Sequence, residues 1–250
     1  MAPNKTVIPL LFIIIGEAMI FHGLVAYGIA IHILNLFFIY LLIIKKEDDA
    51  ALVQKSSLLP LLRIVSIAMP VFPTTLYWYL LVCGAILPAI YVIIKMQRLT
   101  YNELGIGSIS PKYIPVSIVI GFFVALIEHQ IINPVPLLSR IDINNIDNII
   151  IFILIMIVVA SVEEVMFRSL IQTAFEQKYG AHYGLLMTSV LYGVMHSGYG
   201  SGSEIAFEIL AGLILGRIFQ KTRSLPFVVM IHGFEEIFLF SNMFALQIQQ

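Results

Sequence analysis

The sequence predicts an all-α protein, a polytopic transmembrane helix bundle of about eight spans within a range of seven to nine. Three observations predict it. Hydrophobic residues make up 60% of the chain and charged residues only 12%, where a soluble domain carries about 25% charged residues. Apolar stretches of about 17–25 residues recur along the chain, the length that crosses a bilayer as a helix. Basic residues gather in the short segments between those stretches, as they do in cytoplasmic loops. The expected location is an integral, multi-pass one, the cell membrane if the source is prokaryotic.

The stretches run in order as follows. Val7–Gly23 and Val25–Ile44 are apolar apart from Glu17, His22 and a few polar positions such as His32. Leu58–Phe72 is short, holds Pro60, Arg63 and Pro70, and is followed by Pro73. It is expected to lie in the interface or to be broken. Thr75–Lys95, Ile114–Ile132 and Ile149–Gln172 are full-length spans. Tyr183–His196 is short, and Ser203–Gln220 and Pro226–Ala245 complete nine candidates, or eight with one short segment re-entrant. Lys45-Lys46, Lys95 to Lys112 and Lys221 to Arg223 mark the cytoplasmic side. The loop Asn133–Asn148, with Arg140 against Asp142 and Asp147, reads as external. The loop Met96–Tyr113 is the longest cytoplasmic one and is long enough to cover or gate a site.

The remaining composition narrows the function. A net charge of −1 gives no footing for nucleic acid. The single Cys83 excludes an intramolecular disulfide and a cysteine-based zinc site, and reads as a buried core thiol. Lys5 alone precedes the first apolar run, which continues without a small-residue cleavage site, so no cleaved signal peptide is expected. Acidic and histidine residues inside apolar stretches concentrate in the last hundred residues. Residues 1–110 therefore read as scaffold or substrate-access helices and residues 111–250 as the functional core.

The most informative feature is the pair Glu163-Glu164 within an apolar helix. A charged side chain near the bilayer centre costs about 2.5–3.5 kcal/mol on insertion scales, so a pair needs partners or a task. Arg168 lies one helical turn after Glu164, within ion-pair reach. Glu163 is turned about 100° from Glu164 and faces another neighbour. Two later helices supply candidates. Tyr192 and His196 share one face at one-turn spacing, and so do His232 and Glu236. Polar residues placed this way line bundle interiors or water-filled cavities.

The order EExxxR, then an aromatic-xxxH, then Hxxx-polar on successive membrane helices resembles the signature of the CAAX prenyl endopeptidase type II and bacteriocin-processing (CPBP, or Abi) family of intramembrane proteases. The resemblance covers roughly Ile114–Gln250. It implies that Glu163 is the general base, that His196 assists it, and that His232 and Glu236 bind the oxyanion or hold the site. It implies a structural ion pair for Glu164 and Arg168. Two positions depart from the family pattern. Tyr192 replaces Phe, which keeps an aromatic. Glu236 replaces Asn or Asp, and an ionised carboxylate can only accept a hydrogen bond. Glu236 must therefore be protonated, orient His232 or ligate a metal.

Peptide hydrolysis needs an activated water and a stabiliser for the tetrahedral oxyanion. Glu163 supplies a base once Glu164 has engaged Arg168. His196 can hold the same water or protonate the leaving amine, and an imidazolium at His232 or a bound cation can take the oxyanion. If zinc is bound, Glu163, His196 and His232 provide a carboxylate and two imidazoles, a set used by catalytic zinc sites. The helical HExxH motif is absent, so such a site would draw on separate helices. The expected partners are the lipid bilayer and a membrane-embedded or lipidated peptide substrate, with no nucleic acid.

The other polar residues have plainer readings. His22, His32 and His129 read as helix–helix hydrogen-bonding residues, and His182 falls in a loop. Glu204 and Glu208 either line the same cavity or suit the first turns of a helix through its dipole, the second reading being favoured. Glu235 reads as structural. Glu17 is expected to pair with a later helix. Gly193 and Gly198 permit close approach around His196, and Gly212 and Gly216 form a small-xxx-small pair. Strict nine-span boundaries put Glu163 and His196 about two turns apart in height, against the motif match. Two other functions compete: a proton-coupled transporter, since buried Glu and His build proton relays, and a non-catalytic scaffold or immunity protein. Transporters commonly show internal repeats, and none is apparent in the sequence.

Overall fold

The computed structural model describes residues 7–45, 49–68, 76–107, 110–132 and 145–241. Lys5, Lys46, Pro70, Phe72, Pro73, Arg140, Asp142 and the end of the last expected span at Ala245 lie outside the described residues. Among the described residues the protein is all helical, with no strand. Five helical segments are long and apolar enough to cross a membrane, and the shorter apolar α1 stands beside them.

The N-terminal half contributes α1 (Val7–Phe21), α2 (Val25–Ile44), α3 (Ala50–Ser56), α4 (Leu58–Ala68) and α5 (Leu76–Met96). The expected span Leu58–Phe72 is corrected here. Ser57 keeps helical dihedrals between α3 and α4, so Ala50–Ile67 forms one apolar segment long enough to span. The loop after α5 is pinned rather than free. The Ser169 hydroxyl donates to Leu104 O at 2.6 Å and the Leu225 N–H to Gly105 O at 2.9 Å. Glu103 closes the same turn, accepting the Thr100 N–H and hydroxyl at 2.7 Å each. The backbone hydrogen bond from Thr100 holds its carboxyl below the usual range.

The C-terminal half contributes α6 (Tyr113–Ile132), α7 (Ile146–Glu164), α8 (Thr173–Tyr179), α9 (Ala181–Val194), α10 (Gly202–Thr222) and α11 (Leu225–Phe240). Asn145 caps α7 by accepting from the Asp147 N–H at 3.0 Å, which relieves one of the orphan donors of a helix start. Between α7 and α8 the chain stays helical through a π-helical stretch, Val165–Gln172, so Ile146–Tyr179 is one rod of 34 residues. Phe152, Met156, Met166, Phe167, Leu170 and Phe175 on this rod are among the core residues. Around the rod pack α5, α11 and α9, and α11 in turn packs on α6.

Gly180 ends the rod with φ of 88°, a backbone state in which only glycine is comfortable, and α9 starts at once in the opposite direction. Helix association in lipid depends on close packing, and Gly193 shows how close. A Cβ there would meet Ile205 O at 2.6 Å and Ile209 N at 2.8 Å on α10. Backbone atoms of a facing helix cannot step aside as a flexible side chain can. Gly193→Ala is therefore expected to lower stability by about 1–3 kcal/mol, the usual cost of overpacking. Thermal unfolding in detergent measures it, and an unchanged midpoint contradicts this packing.

Candidate active site

Each site residue is positioned by an identifiable piece of the fold. Glu163 precedes Gly180 by 17 positions along the α7–α8 rod, and His196 follows Gly180 by 16 along the returning α9 segment. At about 1.5 Å per residue the two reach nearly equal heights. The two-turn mismatch expected from the sequence is thereby corrected: the rod continues to Tyr179 and α9 begins at Ala181, so the expected boundaries were at fault.

Glu164 and Arg168 form the ion pair expected from their spacing, with Arg168 Nε 2.9 Å from Glu164 Oε2 and both side chains wholly buried. Arg168 Nη1 also donates to Gly212 O at 3.3 Å. Its guanidinium lies 4.9 Å from the Tyr192 ring centre, a cation–π distance. The other oxygen of Glu164 lies 3.0 Å from His232 Nδ1. A carboxylate engaged with an arginine accepts here, so Nδ1 carries the proton it donates. Glu164 thus joins α7 to both the π-helical stretch and α11.

Glu163 has different surroundings. Its side chain is 27% exposed and lines a cavity of about 340 Å³ between α4, α5, α7 and the turn after α9. Trp78, Tyr79, Cys83 and Met166 give this cavity an apolar wall, while Arg63, Glu163 and His196 provide its charged and titratable groups. Among the described residues, those of the Met96–Tyr113 loop do not line it. His232 and Glu236 sit behind Glu163. His232 Nε2 is 3.9 Å from Glu163 Oε2 and 3.6 Å from Glu236 Oε1, beyond direct hydrogen bonding.

His196 joins Glu163 only across the shared cavity. Its Nδ1 is 3.0 Å from Tyr192 O. A carbonyl only accepts, so Nδ1 is the protonated nitrogen and a neutral ring presents a bare Nε2. That Nε2 is 3.6 Å from Glu208. Tyr192, expected in support, has its ring centre 5.2 Å from that of His196 and 6.4 Å from that of His232.

The zinc set named from the sequence does not fit this arrangement. Among the described residues the donor atoms that lie within 4.8 Å of one another are those of Glu128, Glu204 and Glu208, all buried, and not those of Glu163, His196 and His232. His196 spends one nitrogen on its own backbone and turns the other toward Glu208. Glu204 and Glu208 thus face a buried acidic patch, in addition to the first-turn place that Glu204 takes on α10. Glu235 belongs to that patch through a hydrogen bond with Glu128 of α6.

Sequence reasoning missed two participants, Arg63 and Ser197. Glu17 on α1 is wholly buried and lies 2.8 Å from Arg63 Nε and 2.7 Å from Arg63 Nη2 of α4. His32 of α2 is 3.1 Å from the same carboxylate. Arg63 donates to Met195 O, and the Ser197 hydroxyl donates to Glu17. The available signal was charge complementarity: an acid and a base each stranded in an apolar stretch, with no local partner.

Comparison with known proteins bears on the same region. Residues 145–238 match the family described as type II CAAX prenyl endopeptidase Rce1-like. No curated protein and no solved structure matches the chain.

Arg168→Ala is expected to strand the Glu164 charge and cost about 3–5 kcal/mol, whereas replacing Glu164 and Arg168 together by Leu recovers most of that loss. Unfolding midpoints of the two variants decide it. Equal, undiminished midpoints refute the pairing.

Proposed function

As a member of the CPBP family, matched over residues 145–238 by the Rce1-like description, this chain is, we propose, an intramembrane endopeptidase that hydrolyses a peptide bond with a glutamate-activated water. The observation that carries this reading is the division of labour between adjacent acids. Glu164 is spent on Arg168 and His232. Glu163 is left without a direct hydrogen bond to them and faces a cavity large enough for water and a peptide segment.

Glu163 takes a proton from water, and the resulting hydroxide adds to the scissile carbonyl carbon. The oxyanion is received by the Nε2–H of a doubly protonated His232, whose Nδ1–H is held by Glu164. Glu236 stands 3.6 Å from that Nε2, outside hydrogen-bond reach, and so leaves its one N–H to the oxyanion. The C–N bond then breaks, and the proton held by Glu163 passes to the leaving amine. His196, with Nδ1 committed to Tyr192 O and Nε2 on the Glu208 side, lines the same cavity and encloses the water opposite Glu163. No step requires a metal, in keeping with the poor fit of the zinc set.

The apolar wall of the cavity suits a substrate that is itself membrane-associated: a prenylated C-terminal segment, a peptide leader or a similar chain. We propose residues 111–250 as the catalytic core, with residues 1–110 contributing the opposite cavity wall through α4 and α5.

Reconstitution in liposomes with a quenched prenylated peptide, and separately with a lipid-anchored leader peptide, tests the proposal. Glu163→Gln is expected to lower cleavage by at least about 10²-fold, the usual scale for a general base, with its unfolding midpoint preserved. Wild-type rates in that variant would remove Glu163 from the chemistry. Cleavage is also expected to survive exhaustive chelation. Loss of activity that added zinc restores would replace the metal-free step by a metal-dependent one.

A further inference from the structure

The segment that carries His196 is held from outside its own helix. α9 ends at Val194 with Met195 as its C-cap, and His196 has already left helical geometry, with φ of −90° and ψ of 9°. The last carbonyls of a helix have no partner within it. Met195 O finds one in Arg63, whose cation also suits the negative end of the helix dipole. On the other side of His196, the Ser197 hydroxyl donates to Glu17. Glu17 and Arg63 in turn grip each other through two contacts of 2.8 and 2.7 Å. Gly198 leaves the room for this, since a Cβ there would lie 3.3 Å from Arg63 Nη1.

From this we infer that the Glu17–Arg63 pair is a positioning unit for His196, reaching from α1 and α4 to fix the backbone on both sides of the ring. Among the described residues, the long-range hydrogen bonds to Met195–Tyr199 come from these two side chains. The other bonds of the segment are local: Met195 N–H to Leu191 O, His196 N–H to Gly193 O, His196 Nδ1–H to Tyr192 O, Tyr199 N–H to His196 O and Gly200 N–H to Ser197 O. Local bonds define a turn but do not fix where the turn stands relative to Glu163. The buried pair supplies that reference. It decides whether the His196 ring meets the cavity wall or swings away from it. The catalytic consequence rests on the role proposed above for His196, whereas the positioning itself does not.

Replacing both members together separates this role from mere stability, because a buried ion pair exchanged for apolar residues of similar size leaves no unpaired charge of its own. In the full chain in liposomes, Glu17→Met combined with Arg63→Met is expected to fold, with a midpoint below the wild type because His32, the Ser197 hydroxyl and Met195 O lose their partners. Its kcat should fall at least tenfold on the substrate that the wild type cleaves, with KM within threefold. Undiminished kcat in that folded variant overturns the catalytic consequence. A second readout needs no substrate. With 15N-labelled histidine, the His196 ring, assigned by its loss in His196→Gln, should report a single tautomer protonated at Nδ1 in the wild type. In the double variant its signals should move toward the average of two tautomers. Unchanged His196 signals overturn the positioning role whether or not the protein cleaves anything.

If the double variant fails to fold, Ser197→Ala carries the test. It removes one hydroxyl and keeps the ion pair. The expected result is a shift or broadening of the His196 signals with a severalfold lower kcat, and no change in either overturns the inference. A wild-type protein that leaves both peptides intact counts against the endopeptidase reading alone, since the nitrogen signals still decide the positioning.

Discussion

Burial of the Glu164 charge is the constraint from which the rest of the site follows. A carboxylate with no solvent must be neutralised by geometry, and Glu164 is satisfied by Arg168 on one side and His232 on the other. That single demand fixes three things together. It joins the α7 rod to α11. It sets the His232 ring with Nδ1 turned to Glu164 and Nε2 toward Glu163 and Glu236. It also turns the Arg168 guanidinium to Glu164, so the adjacent Glu163 is left without an arginine partner on its own rod. Two neighbouring residues of the same type thereby acquire opposite characters, one structural and one chemically available.

A second buried acid repeats the pattern with a different outcome. Glu17 is paired by Arg63, but the arginine has a hydrogen bond left over for Met195 O. The surplus donor is what connects the N-terminal helices to the turn carrying His196. Arg63 also lines the cavity, so the pair stands at the boundary between helices expected to be scaffold and helices expected to carry the chemistry.

Much of this was legible in the residues and some was not. The helical class followed from composition, and the Glu164–Arg168 pair from one-turn spacing, because both depend on local chemistry. The Gly180 turn was less accessible. Polar residues such as Gln172, Glu176 and Lys178 made the rod seem to stop early, although they sit on helix: Gln172 bonds to Glu176, Glu176 to the α10 end, and Lys178 pairs with Asp49. That one boundary generated the false difference in height between Glu163 and His196. Arg63 argued against a span when read alone, yet it marks a span whose charge is answered 46 positions earlier by Glu17. The orientation of His196 toward Glu208 was out of reach altogether, since no spacing rule relates a ring on one helix to an acid on the next.

The length of the α7–α8 rod has a bearing on how a bond could be presented for cutting. Glu176, which meets Arg223 at 2.6 Å, sits 13 positions beyond Glu163 on the same rod, a descent of about 20 Å. A chain approaching from the Arg223 end would therefore travel about 20 Å along the rod before it reached the carboxylate. An unravelled strand would make that descent beside packed rods more easily than a helix about 10 Å across. Selection among peptides would then begin with how readily each one gives up its own coiling and trades water for lipid, well before any side chain is inspected.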